Sequence, residues 1–339
     1  MNMMWTNVRS IVFSTILVIT MVLPLGYLST PVSAAEPINL RVQSWGGATY
    51  SPRVMVESVI KKLNVTDRFK ITYFPGEPVV TAKEAFDAVR EGVLDVAITA
   101  AAYHEDRMGP VGVIQWMPRN FNFEKFAAHY RDQGGFMDFV QPYYGKVNLH
   151  LLSDMHTPPA QLFSTKPVKS LDDLKGLLIR DAGSQSPWLK LLGAAPLSIP
   201  SPEVFEGFQR GVVEGTIASM SSYVSNKWFE VATNVTEIDW LLGGMQLVMN
   251  QETYEKLPAD ARELLDKAVL EAEQEYWNRS RTEDKMFMEE VKAKGANVIY
   301  PDKAGIDQFE SAIEPFYTSM SKKFGSPWDD LMKIRKTLN

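Results

Sequence analysis

The sequence predicts a two-lobed α/β protein with one long helix spanning both lobes. Three observations predict it. Strands and helices alternate from Leu40 onward, one helix-Gly-strand phrase occurs twice at a fixed spacing, and Pro258 to Ala293 reads as one helix. A chain of 339 residues is more than twice the size of a typical domain, so it can bury two cores.

The alternation begins with a strand at Leu40 to Gln43. Ser51-Pro52 then supplies an N-cap and a proline at the first helical position, followed by Val56, Val59, Ile60 and Leu63 on one face. A strand at Lys70 to Phe74 follows. Thr81 with Glu84 forms a capping box for a helix whose Phe86 and Val89 face inward, Gly92 ends it, and Leu94 to Thr99 is a buried-type strand. This βαβαβ order implies a parallel sheet. The run Phe86 to Asp95 then aligns with Phe205 to Glu214, an offset of 119 residues throughout. Around the second copy lie strands at Leu177 to Arg180 and Pro196 to Ile199, a helix from Ser186 to Leu192, and Ser201-Pro202 as N-cap and first helical residue. The similarity of any two helix-Gly-strand units is the alternative; matching context on both sides favours a true repeat.

Pro258 to Ala293 is rich in Ala, Glu, Leu, Lys and Arg, with Leu264, Leu265, Ala268, Val269, Ala272, Tyr276, Met286 and Val291 at helical spacing. Such a helix would be about 50 Å long, enough to brace both lobes. Its apolar face breaks at Trp277 to Thr282, where the weaker helix formers Asn278, Ser280 and Thr282 predict flexure.

At the N-terminus Arg9 is the only charge, Ile11 to Leu28 is nearly all apolar, and Val32-Ser33-Ala34 offers small residues for cleavage. Residues 1–34 read as a secretory signal, with a retained membrane anchor as the alternative. The chain has no Cys, so the core alone must hold the fold. The formal charge of -6, with basic residues scattered, argues against nucleic acid or an acidic membrane as partner. His104, His129, His150 and His156 lack metal-ligand spacing, and no nucleophile elbow, Walker sequence or dinucleotide fingerprint occurs. The expectation is a binding protein, not an enzyme, with no cofactor and no metal.

The informative segment is Ser170-Leu171-Asp172-Asp173-Leu174-Lys175-Gly176, leading into a strand that ends on Arg180. A guanidinium at a strand end can grip a carboxylate through two parallel charge-assisted hydrogen bonds. A surface salt bridge is the alternative. These residues, with Leu192-Gly193-Ala194, Glu203-Val204-Phe205 and Gly211 to Gly215, resemble the DctP-type family of TRAP solute-binding proteins. The likeness runs from about Leu40 to Lys323 and includes Phe74-Pro75-Gly76, Gly92 to Asp95 and Asn226 to Val231.

The resemblance implies a type II-like periplasmic binding protein. Lobe I takes residues 35–157 and 244–283, and lobe II takes residues 158–243 and 284–339. It further implies that Arg180 binds a ligand carboxylate in the cleft. The filled receptor would deliver a small organic acid to sodium-coupled membrane subunits, a small and a large permease component, in the periplasm of a Gram-negative bacterium. A receptor feeding a signalling system is the first alternative and a periplasmic hydrolase or lyase the second. Two departures bear on the ligand. The family's ligand-binding Asn is Ala218 here, and the second arginine of sialic-acid members falls near Ala160. One acidic group is therefore expected, not two. Trp45, Tyr103 and Trp188 are candidate aromatic contacts, with packing as the alternative, and Gly46-Gly47 implies an exposed turn at Trp45. Ser184, Ser201, Ser219 and Ser222 are candidate hydroxyls, with helix capping as the alternative for Ser201.

Overall fold

The computed structural model describes residues 36–181 and 184–339. The expected signal segment therefore lies outside the described residues. Eleven strands follow one another among those described: β1 (Ile38–Gln43), β2 (Phe69–Phe74), β3 (Val96–Thr99), β4 (Leu149–Pro159), β5 (Gln161–Ser164), β6 (Leu178–Asp181), β7 (Ala195–Ser198), β8 (Gly215–Ala218), β9 (Asn234–Thr236), β10 (Leu242–Asn250) and β11 (Asn297–Ile299). They form two sheets, ordered β2-β1-β3-β10-β4 and β11-β9-β5-β8-β6-β7.

In each sheet three parallel strands are extended by antiparallel ones. β1 runs parallel to β2 and β3, while β10 is antiparallel to β3. β6 runs parallel to β7 and β8, while β5 is antiparallel to β8. The chain crosses between the sheets from β4 to β5 and returns from β9 to β10. The crossing segments bond to each other, Trp240 N donating to Ala160 O at 3.0 Å and Ala160 N to Leu241 O at 2.6 Å. Ala160, with no charge to offer, is fully buried there.

Local sequence explains most boundaries. The Thr81 and Glu84 capping box forms, with Glu84 accepting from Thr81 N at 3.0 Å and Thr81 Oγ1 accepting from Glu84 N at 3.4 Å. Gly92 takes φ +73° after the Ala85–Arg90 helix, as the repeat's Gly211 takes φ +67° after the Val204–Gln209 helix. The serine caps expected before proline are displaced by one position. Tyr50 and Pro200 occupy the cap sites, so Ser51 and Ser201 are first-turn residues and neither Ser51-Pro52 nor Ser201-Pro202 makes a side-chain cap. Proline is tolerated one residue deeper because that N–H has no helical acceptor in any case.

The long helix spans Ala259–Ala293. Leu265, Ala268, Val269, Ala272, Tyr276 and Trp277 enter the larger apolar core, and Met288 and Val291 enter a smaller one built on Phe163, Val204 and Trp228. The expected break in the apolar face does not fall at Trp277 to Thr282: Trp277 is 5% exposed and Ser280 is 1% exposed. A small residue at 280 continues the buried stripe instead of ending it. The interruption comes later, across residues 281–287, where Met286 faces solvent. At the C-terminus the Lys303–Phe324 helix packs on the Ser186–Leu191 helix, whereas the last residues turn to the other lobe. Asn122 N donates to Leu338 O at 2.9 Å, and Arg335 Nη2 to Arg119 O at 2.6 Å.

Candidate functional site

β6 carries Arg180 next to the crossing, and the side chain is 1% exposed. Burying a cation costs several kcal/mol unless it is paired and hydrogen-bonded. The guanidinium has no carboxylate partner among the described residues. Its Nε donates to Ile199 O at 2.8 Å, and its Nη2 lies 3.4 Å from the hydroxyl of Tyr103. The neighbouring Asp181 accepts from Gln185 N at 2.8 Å and Ser186 N at 3.0 Å, fixing the start of the Ser186–Leu191 helix. With Nε tied to Ile199, the edge formed by the two Nη groups is the one left to take both oxygens of a carboxylate.

Tyr103 follows β3 and comes from the other sheet, so its approach to Arg180 joins the two lobes at this point. Beside it, His104 stacks on Phe86 at 4.2 Å and accepts from Arg107 Nη2 at 2.7 Å. Burial, then the Arg107 charge, lowers its pKa to about 4, so the imidazole is neutral near pH 7.

Trp45 is buried, not exposed as the glycine pair implied. Its ring stacks on Tyr50 at 5.2 Å, and its indole N–H has no acceptor among the described residues. The glycines serve close approach instead. A Cβ on Gly46, which has φ +86°, would lie 2.5 Å from Tyr50 Cδ1, and one on Gly47 would lie 2.9 Å from Ser225 O in the second lobe.

The other candidates divide. Ser219 caps the Met220–Ser225 helix by accepting from Ser222 N at 3.3 Å, and its hydroxyl also meets those of Ser221 and Ser222. Ser184 is buried with no hydroxyl partner among the described residues, and Ser201 is nearly buried two residues beyond Ile199. Trp188 belongs to the core: its indole donates to Trp116 O at 3.2 Å and its ring leans on Trp240. Ala218 is buried at the end of β8.

Two polar residues escaped the sequence reading. Thr216 is the β8 partner of Arg180 and is fully buried, its hydroxyl without a partner among the described residues. Strand register could have revealed it. Tyr50 is 1% exposed, with its ring stacked on Trp45. Burial, then the neighbouring phenols, raises its pKa well above 10, so it stays a neutral donor. Its signal was the glycine pair just upstream, which was taken for a solvent turn. A separate surface groove of about 580 Å³, lined by Leu171, Lys175, Leu191 and Asp307 among others, includes none of these residues. No helix among the described residues is long and apolar enough to cross a membrane.

Comparison with known proteins agrees with this architecture. The sialic acid-binding periplasmic protein SiaP of Vibrio cholerae is 23% identical over 311 residues, covering 87% of this chain and 92% of that protein. The C4-dicarboxylate-binding periplasmic protein DctP of Rhodobacter capsulatus is 23% identical over 272 residues, covering 76% and 78%. A marine metagenome TRAP solute-binding protein specific for pyroglutamate superimposes with a TM-score of 0.81 at 20% identity, covering 89% of this chain and 99% of that one. A TRAP periplasmic solute-binding protein of Haemophilus influenzae with bound L-gulonate also gives 0.81, at 18% identity, covering 88% and 99%. The family model for bacterial extracellular solute-binding protein, family 7, matches residues 57–323, a span that contains Arg180, both crossings and the long helix, and the chain belongs to that DctP family.

Proposed function

We propose that this chain is the periplasmic receptor of a TRAP-type transporter and that it captures one small organic acid between its lobes. The observation that carries the proposal is Arg180, a buried guanidinium with no carboxylate partner among the described residues and with its Nη edge turned toward a residue of the opposite lobe. Such a cation is made whole by an anion. The related receptors with bound pyroglutamate and L-gulonate are consistent with an acid of this size. With Ala160 and Ala218 at the positions of the family's further polar contacts, a ligand with a single acidic group suits the cleft best.

In this reading the crossings β4 to β5 and β9 to β10 are the hinge between lobes. An acid touching Arg180 on one side and Tyr103 on the other favours the closed form through its differential affinity. The closed receptor then presents the acid to the small and large membrane subunits. No bond is made or broken, and the N-terminal segment directs export to the periplasm.

The test is a thermal-shift screen of organic acids followed by calorimetry. A receptor held at 100 times its dissociation constant gains about 2.7 kcal/mol of stability, which such a screen detects. Monoacids are expected to stabilise the protein, and succinate and malate are expected to do so less. A screen in which dicarboxylates bound best would overturn the single-acid reading. Conversion of any acid during incubation would overturn the receptor reading.

A further inference from the structure

We propose that Arg119 is a positioning residue of the hinge, a clasp by which the first lobe grips the return crossing and a C-terminal helix of the second and holds the two lobes approached. The proposal rests on the reading of the crossings as a hinge, and it names the side chain that sets the balance between open and closed forms.

The clasp sits where the backbone is strained. Arg119, Asn148, Lys227 and Asp239 are the non-glycine residues with positive φ among those described. Two of them, Arg119 at +50° and Asp239 at +54°, are bonded to each other. A left-handed residue that carries a side chain persists only where its surroundings over-determine it. Arg119 lies between the Pro110–Ile114 and Phe123–His129 helices of the first lobe, and its bonds run in four directions. Its N donates to Trp240 O at 2.7 Å, and its O accepts from Arg335 Nη2 at 2.6 Å. Its Nη2 pairs with the Glu310 carboxylate at 2.9 Å, while its Nη1 donates to Ile238 O at 3.3 Å and Asp239 O at 3.4 Å.

The turn at Ile238 and Asp239 is thus held by side chains from both lobes. Gln161, the first residue of β5, takes the N–H groups: Ile238 N and Asp239 N donate to its Oε1 at 2.9 and 3.2 Å. Arg119 takes the carbonyls. A segment held through side chains on both polar edges can turn without breaking a strand ladder, as a pivot must. Gln161 shares a lobe with the turn, whereas Arg119 reaches it from the other lobe. Separation of the lobes therefore strains the Arg119 bonds and spares those of Gln161. Glu310 adds to this, because its helix packs on the Ser186–Leu191 helix of the second lobe. One planar guanidinium serves a carboxylate and two carbonyls at once, which an ammonium cannot match. Lys323 and Glu105 join the same helix to the first lobe by a single exposed pair, which contributes little.

The test reads the lobes before it reads any ligand. The chain has no Cys, so Val65→Cys and Lys190→Cys, exposed in the first and second lobes, give one pair of spin labels whose separation pulsed EPR measures. Arg119→Met should shift the ligand-free distances toward an open form. Arg119→Lys and Glu310→Gln should shift them part of the way, and Lys323→Met should leave them within error. Pyroglutamate, 2-oxopentanoate and propanoate are then titrated calorimetrically. For each of these that binds, Arg119→Met should raise the dissociation constant by one common factor of about three to ten, because depletion of the closed form taxes every ligand alike. Unchanged distances in folded Arg119→Met overturn the proposal. If that variant does not fold, unchanged distances in Glu310→Gln, altered at a partly exposed carboxylate, overturn it. A factor that differs between acids would make Arg119 a ligand contact, and a Lys323→Met shift equal to that of Arg119→Met would reduce the clasp to general charge; either overturns the proposal. Shifted distances with none of the three acids bound support the clasp and count against the acid-receptor reading alone.

Discussion

Gln43 in the first sheet and Arg180 in the second hold the same place. β1 pairs with β3 through Gln43 and Ala97, and β6 pairs with β8 through Arg180 and Thr216. Two residues earlier, Arg41 N donates to the Asp95 carboxylate at 2.7 Å, and Leu178 N to the Glu214 carboxylate at 3.3 Å. Each side chain then reaches the same carbonyl: Gln43 Nε2 donates to Val80 O at 2.8 Å, and Arg180 Nε to Ile199 O at 2.8 Å. What differs is the remainder. The other end of the Gln43 amide is taken up by Val79 N and Val80 N, at 3.1 and 3.3 Å. Arg180 is longer and charged, and after bonding Ile199 it still has an Nη edge to give. On the proposed reading the repeated frame serves as scaffold in one lobe and as anion site in the other, and one side chain makes the difference.

Arg180→Gln is the sharpest test, because it installs the first lobe's solution in the second. An amide in reach of Ile199 O should keep the fold, with a melting temperature within a few degrees of wild type. Acid binding should weaken by about 2 to 5 kcal/mol, the usual cost of removing one member of a buried charged pair. Calorimetry on the folded variant decides it. Retained affinity would mean that the two halves do not differ in this way and that the anion site lies elsewhere.

This comparison was half legible in the sequence. The offset between Phe86 and Phe205 survives into the structure, since both copies contain a short helix, a left-handed glycine and a strand. Arg180 was singled out by its strand-end position, and the structure places it buried at the end of β6. Tyr50 and Thr216 were not, because one depends on a turn folding back on a ring and the other on strand pairing, and neither leaves a local pattern. The fate of Trp45 was misread for the same reason: a glycine pair permits an exposed turn and a close approach equally. The apolar break was misplaced at Trp277 to Thr282 because composition reports intrinsic propensity, whereas the buried face of the helix is set by its neighbours.

The likeness between halves stops at the joint. Leaving β9, the chain carries Glu237 and Asp239 toward Asp284 of the long helix. Burial first, then Asp239 and Glu237, raises the Asp284 pKa to about 7, and burial also raises that of Glu237, which Lys292 partly offsets. With a folded value above the ordinary 3.8, Asp284 binds its proton more tightly in the folded state. Its contribution to stability is therefore fullest below about pH 4 and is lost as pH rises to about 7. Asp284→Asn should raise the denaturation midpoint at pH 8, by on the order of 1 to 3 kcal/mol, and change it little at pH 4. An equal effect at both pH values would remove the acid joint from the comparison.

Gln43→Ala probes the scaffold side. It strips partners from Val80 O and from two backbone N–H groups, one of which, on the exposed Val79, can turn to water. Stability should fall by about 1 to 2 kcal/mol in chemical denaturation. Acid affinity of the folded protein should stay within about threefold of wild type, the reverse of the Arg180→Gln result. A variant that lost affinity and kept its stability would assign Gln43 to the site and end the division of labour between the halves.

The smallest effect is expected where the halves touch without sharing chemistry. Gly47 lies in the turn of the first lobe, and a Cβ there would meet Ser225 O, a backbone atom of the second lobe that cannot rotate away. Gly47→Ala therefore leaves each lobe intact and penalises only their approach. An acid that binds between the lobes selects the approached form, so its apparent dissociation constant should rise by the factor by which that form is depleted. That factor is about three to ten, given that a few tenths of an ångström of relief is available. It should be the same for pyroglutamate and cyclopentanecarboxylate, because Gly47 reads nothing on the ligand. Small-angle scattering supplies the second readout: at subsaturating acid the Gly47→Ala protein should be more extended than wild type, and at saturation the two should converge. Unchanged affinity and unchanged scattering would mean that the lobes bind acid without closing over it. The Tyr103 to Arg180 approach would then be a fixed feature of one rigid pocket.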